Sequence, residues 1–247
     1  MAPRTSRAGQ GVAIAAAIAT FAFNAIPADA AGPRQAASLT YTSQAPGTPT
    51  GFVGDMRFQN PENPGLKPHT LKAMVVRSPA GAVIDTTVPP QCHASDAQLM
   101  IQGPDACPRE TQIGWGLSVT DNGGGGPLPR YSEAAITSFN NQNEVVGVGV
   151  PKQLPALKLI VRTKIQGSTS TTSFPLFPGV PPPDPYTPFK RLYMVMSPYA
   201  RDGRAYVRTP PTCPRVGYWT ITGEFTYVDG VTQAVESHSP CERGPSS

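Results

Sequence analysis

Proline and glycine interrupt this chain too often for long helices to form. Segments such as SPAG (78–81), VPPQC (88–92), the Gly-Pro pair at 103–104 and PLFPGVPPPDPYTP (175–188) recur along its length. Each proline fixes its own backbone torsion and removes an amide donor, so it ends helices and retreats to turns and strand ends. With 30 Pro among 247 residues, proline runs at about twice its usual frequency. A chain cut this way is expected to form many short strands joined by turns.

The residues between the turns support that expectation. From Tyr218 to Tyr227, Trp219, Ile221, Gly223, Phe225 and Tyr227 alternate with Tyr218, Thr220, Thr222, Glu224 and Thr226. That is the period of a half-buried strand. Asp229-Gly230 then supplies a two-residue hairpin turn, and VTQAVESHSPC pairs back. Leu157, Leu159, Val161, Thr163 and Ile165 alternate likewise against Lys158, Arg162 and Lys164, with a wet, basic outer face. Leu71, Ala73 and Val75 read as one face of a strand, and Lys72, Met74 and Val76 as the other. RYSEAAITSF and EVVGVGV flank NNQN as a hairpin. One helix stands out, in CHASDAQLMIQGPDAC. Ser95 precedes Gln98 by three residues, the spacing of a capping box, Asp96 suits the first turn, and Gly103-Pro104 stops the chain.

The expected fold is therefore all-β, a mainly antiparallel β-sandwich with one short helix in a disulfide loop. Residues 31–242 are read as one domain, with 175–188 as a proline-rich crossover loop and 243–247 as a tail. A division into two small β modules at 175–188 is the alternative.

The N-terminus reads as an export signal. Arg4 and Arg7 precede the apolar run GVAIAAAIATFAFNAI, and Ala28-Asp29-Ala30 supplies a cleavage site. The run is shorter than the roughly 20 residues that span a bilayer, so no membrane span is expected once residues 1–30 are removed. Removal takes away two arginines and one aspartate, lowering the net charge from +4 to +3. Spread over the chain, that charge is not the dense basic stripe of a nucleic-acid binder. The expected location is secreted and extracellular.

In an oxidising compartment the four cysteines, Cys92, Cys107, Cys213 and Cys241, read as two disulfides. Three pairings exist. Local pairing, 92 with 107 and 213 with 241, closes the shortest loops, but spacing alone does not choose. Zinc would need closely paired ligands, and no such spacing is present.

Catalytic signals are missing. His69, His93 and His238 form no metal-binding or nucleophile motif, and Ser237-His238-Ser239 reads as a solvated histidine near a disulfide. The four glycines at 123–126 lead into Pro-Leu-Pro rather than a helix with Lys-Ser/Thr, so they read as a surface loop and not a phosphate cradle. Scattered carboxylates leave a hydrolase as the least favoured class. No catalytic residue, metal or cofactor is expected. Trp219, on an apolar face, reads as core. Trp115, between Gly114 and Gly116, also reads as core, with a sugar-stacking platform as the alternative. Arg204, Tyr206 and Arg208 alternate along GRAYVRTPP. With Trp115 they form the candidate ligand-binding set, suited to a carbohydrate or an anionic cell-wall polymer, against the simpler reading of solvated edge-strand charges.

VPPQCHASDAQLMIQGPDACPRETQIGWG and the tail RTPPTCPRVGYWTITGEFTYVDG…SPC together resemble a group of exported β-rich proteins of high-GC Gram-positive bacteria. The shared marks are a Cys-bounded short helix ending in Cys-Pro and a TPP-x-CP…G-x-W…DG…PC tail, covering Pro89 to Cys241. The resemblance implies an exported, β-rich chain and carries over no catalytic residue. Taken together, these readings give an exported, non-catalytic β protein of undetermined role, with polymer binding as the alternative.

Overall fold

The computed structural model describes residues 32–124, 129–177 and 186–242. The segment read as an export signal, the tail at 243–247, part of the glycine run and the middle of the proline-rich loop lie outside the described residues.

The strands, in chain order, are β1 (Gln35–Tyr41), β2 (Phe52–Phe58), β3 (Leu71–Arg77), β4 (Val83–Ile84), β5 (Gln112–Asp121), β6 (Tyr131–Asn141), β7 (Glu144–Pro151) and β8 (Leu159–Gln166). They continue as β9 (Thr169–Ser173), β10 (Phe189–Met196), β11 (Ala200–Arg201), β12 (Arg204–Ala205), β13 (Val207–Arg208), β14 (Tyr218–Tyr227) and β15 (Thr232–Pro240). Among the described residues the one α-helix, α1, is Asp96–Gln102. The all-β, antiparallel reading with a short helix in the first disulfide loop holds.

Eleven strands form one continuous sheet in the order β1-β2-β10-β5-β6-β7-β8-β9-β3-β14-β15. β10 pairs with β2 and β5, and β14 pairs with β3. Strands from both sides of residues 175–188 thus interleave in the same sheet.

The sheet rolls until its two edges meet. β1 and β15 exchange no backbone ladder; side chains of β15 serve β1 instead. The Ser237 hydroxyl accepts from the Leu39 N–H at 2.7 Å, the Ser239 hydroxyl from the Tyr41 N–H at 2.9 Å, and the Gln233 amide oxygen from the Arg34 N–H at 3.0 Å. An edge strand would otherwise leave these donors unpaired. The opposing walls of the roll enclose the main core, where Leu39, Met56, Phe58, Ile221 and Phe225 are buried around Trp219.

Most strand faces follow the alternation in the sequence, and β3 does not. A bulge slips its register against β14, so that Leu71 faces Tyr227 while Phe225 faces Met74 and Gly223 faces Val76. The core face is Leu71, Met74 and Val76, so it draws on both of the faces that strict alternation separates. One extra residue at a bulge reverses every side chain beyond it.

α1 forms as its cap predicts. Ser95 accepts from the Gln98 N–H, and the Gln98 side chain accepts from the Ser95 N–H. The Cys92–Cys107 disulfide closes the loop around it. Leu99 and the two cysteines cover Phe139, Val146 and Val148 on the outer side of β6 and β7, with Ile160 of β8 packed against them. The outer face of β8 is therefore partly covered rather than fully wet, and Arg162 turns to Asp96 of the helix and Glu144 of β7. The second disulfide joins Cys213 to Cys241. Both bridges are local.

A charged cluster ties the β14–β15 turn to β1. Arg34 donates to Asp229 at 2.7 Å, and His69 lies 2.8 Å from Glu62 and 3.7 Å from Asp229. Burial acts to raise the Asp229 carboxyl, but the Arg34 hydrogen bond, the Val231 N–H and the neighbouring positive charges outweigh it and hold the carboxyl below its usual value. The His69 hydrogen bond does the same for Glu62. A carboxylate depressed in the folded state stabilises it above the unfolded pKa, and that stability is lost as pH falls through the folded value. The melting temperature is expected to drop as pH falls below about 4. Asp229→Asn should lower stability at pH 6 and flatten the drop between pH 6 and pH 3, measured by thermal unfolding at both; a drop unchanged in the variant would remove Asp229 from the account.

Candidate ligand cavity

The inner wall of the rolled sheet alternates large and absent side chains. Across the strands, one row runs Gly54, Met194, Gly116, Ile136, Gly149 and Leu159; the next runs Phe52, Met196, Gly114, Ser138, Gly147 and Val161. Met194 thus lies beside two glycines. A β-carbon on Gly116 would come within 2.4 Å of the Tyr193 carbonyl oxygen and 2.5 Å of the Met194 sulfur, and because the backbone cannot give way this position requires glycine. A barrel interior filled by small and large residues in alternation either packs solid or retains a cavity, depending on the total volume.

Here a cavity remains. A compartment of about 110 Å³ lies toward Phe174, Phe177 and Phe189, and another of about 140 Å³ toward Tyr41, Ile84 and Tyr206. Met56, Met74, Ser138, Val145, Thr172 and Met194 border both. No charged residue lines either compartment among the described residues. Flexible methionine side chains let such a wall adapt to irregular apolar shapes.

Two hydroxyl groups belonging to the wall are buried without a hydrogen-bond partner, those of Ser138 and Tyr206. Burial pushes the Tyr41 phenol up, partly offset by a hydrogen bond with the Ser78 side chain. Burial pushes the Tyr206 phenol up further, with no opposing influence. Both are neutral donors at physiological pH.

The sequence-derived candidates are distributed differently from their order in the chain. Tyr206 is 0% exposed and belongs to the cavity. Arg204 points outward to Asp85 at 2.7 Å and to Thr87, and Arg208 donates to the carbonyls of Gly47 and Gly203. The two arginines lie on different short strands, each held by neighbours within the protein. Trp115 is 50% exposed, which corrects the expectation that it packs in the core. Its flanking glycines face inward, and alternation therefore places the indole outside, 5.7 Å from the Tyr193 ring. Trp219 is core, 1% exposed. His238 is exposed and stacks on Tyr218. Cys92, Cys107, Cys213 and Cys241 are all in disulfides. Among the described residues no group of three His, Cys, Asp or Glu side chains could hold a metal ion, and no helix is long and apolar enough to cross a membrane.

Reading the residues as strands missed the cavity. Its signal was the two-residue spacing of Gly114 with Gly116 and of Gly147 with Gly149, which strips one face of two strands. Comparison of the chain with protein-family models, curated proteins and solved structures gives no match.

Proposed function

We propose that this chain is an exported, non-catalytic protein that binds a small apolar molecule inside its rolled sheet. The observation that carries the reading is the uncharged two-compartment cavity bordered by Met56, Met74 and Met194. Concave, mainly apolar enclosures with a few polar groups are the usual form of small-molecule sites. Two disulfides suit an oxidising, non-cytoplasmic setting. The export-like N-terminus and the resemblance to exported β-rich proteins of high-GC Gram-positive bacteria support secretion.

Octane is the probe. Octane-saturated buffer is expected to raise the melting temperature of the mature protein, because a ligand that binds only the folded state stabilises it. Gly147→Leu supplies the control. A β-carbon on Gly147 meets only ordinary contacts, from 3.5 Å upward, so the leucine can enter the cavity without backbone clash. That variant should fold and lose the octane response. A wild type indifferent to octane would overturn the reading.

A second reading rests on Trp115. Its exposed indole beside Tyr193, with Arg191 over the Tyr193 ring, forms a platform on which a sugar of a cell-wall polysaccharide can stack. A pull-down against cell walls and a glycan array tests it. Retention lost in Trp115→Ala would support the platform, and no retention would dismiss it.

A further inference from the structure

The polar atoms of the cavity indicate what its ligand carries. The large majority of buried hydroxyls have a hydrogen-bond partner, because leaving one without forfeits its hydration with nothing in return. Ser138 and Tyr206 leave two in the wall of one apolar cavity, although elsewhere the fold satisfies its buried hydroxyls, as with Ser237 and Ser239 on β1. A ligand or water completes such a set. Among the described residues the wall holds no Lys, Arg or His, so a carboxylate or phosphate entering it would shed its hydration without gaining a countercharge. A neutral oxygen meets no such penalty, since an alcohol, ketone or ester oxygen accepts from a phenol O–H.

Resting on the cavity reading above, we propose that the ligand is an uncharged, mainly apolar molecule bearing an alcohol, ketone or ester oxygen, with that oxygen bound by Tyr206 and Ser138. Size agrees. A cavity of about 150 Å³ holds benzene, a molecule of six heavy atoms, and two adjacent compartments of about 110 and 140 Å³ that share a wall of residues together match a molecule with about nine or ten.

The test compares 1-octanol, octane and octanoate by isothermal titration of the disulfide-intact mature protein at pH 7. Tyr206→Phe keeps the ring in the core and removes only the unpartnered hydroxyl, so folding is retained; Ser138→Ala is a second, independent variant. Tyr206→Phe is expected to weaken octanol about five- to tenfold, the worth of one hydrogen bond, and to leave octane unchanged. Ser138→Ala should shift octanol in the same direction, and octanoate should bind more weakly than octanol. Equal effects of Tyr206→Phe on octanol and octane would overturn the proposal, as would tighter binding of octanoate; ordered water would then be the hydroxyls' partner and the cavity reading would stand. Failure of both octane and octanol to bind would overturn the two together.

Discussion

Trp219→Ala is expected to destabilise the protein by about 3–5 kcal/mol, the range for truncating a large buried aromatic residue. Trp219 is 1% exposed. Its ring meets Tyr41 edge-on at 5.9 Å, and Tyr41 in turn meets Phe52. The indole N–H donates to the Thr212 carbonyl at 2.9 Å, so truncation opens a void and also strips a partner from the loop before β14. Trp219→Phe, which retains a ring and loses only the N–H and part of the volume, should cost less. Urea unfolding of the three proteins measures this. A loss for Trp219→Ala below about 1 kcal/mol, the scale of a surface substitution, would contradict the packing described.

Removing the Cys213–Cys241 bridge by the double change Cys213→Ala and Cys241→Ala should cost about 3.5 kcal/mol. The estimate follows from the loop closed, 28 residues in sequence separation, on the chain-entropy account of disulfides. Cys92–Cys107, with a separation of 15, should cost about 3 kcal/mol on the same account. The larger bridge fastens the approach to β14 against the end of β15, where the Cys241 N–H also donates to the Gly217 carbonyl. Guanidinium unfolding of each double variant against the oxidised parent distinguishes them. Equal stability of parent and 213–241 variant would show that the tail is held without its bridge.

What could be read from the sequence was local. The alternation from Trp219 to Tyr227, the Asp229-Gly230 turn and the Ser95–Gln98 cap each depend on residues within one element or one hairpin, and each is found in the fold. Features that depend on where distant strands meet were not legible. The inner face of β3 changes at a bulge because β14 pairs across it, and nothing within LKAMVVR marks the extra residue. The closure of the roll by Ser237 and Ser239 requires the last strand to reach the first, nearly two hundred residues away. Trp115 was misplaced for a simpler reason. Flanking glycines suggest space for its ring in the core, but period-two alternation sends them to the opposite face. Those glycines were the trace of the cavity, and only the ring of strands around them shows that the emptied face is an interior one.

The methionines provide the most direct measurement of that interior. Met56, Met74, Met194 and Met196 border the cavity, while Met100 lies on the exposed side of α1. Apart from Met1, these are the methionines of the chain. In a methyl-labelled sample titrated with octane, the four cavity methyl resonances are predicted to shift and saturate together while Met100 stays in place, and Gly147→Leu should abolish the shifts. Movement of Met100 with the four cavity methyls unchanged would place the apolar ligand on the surface and contradict the account.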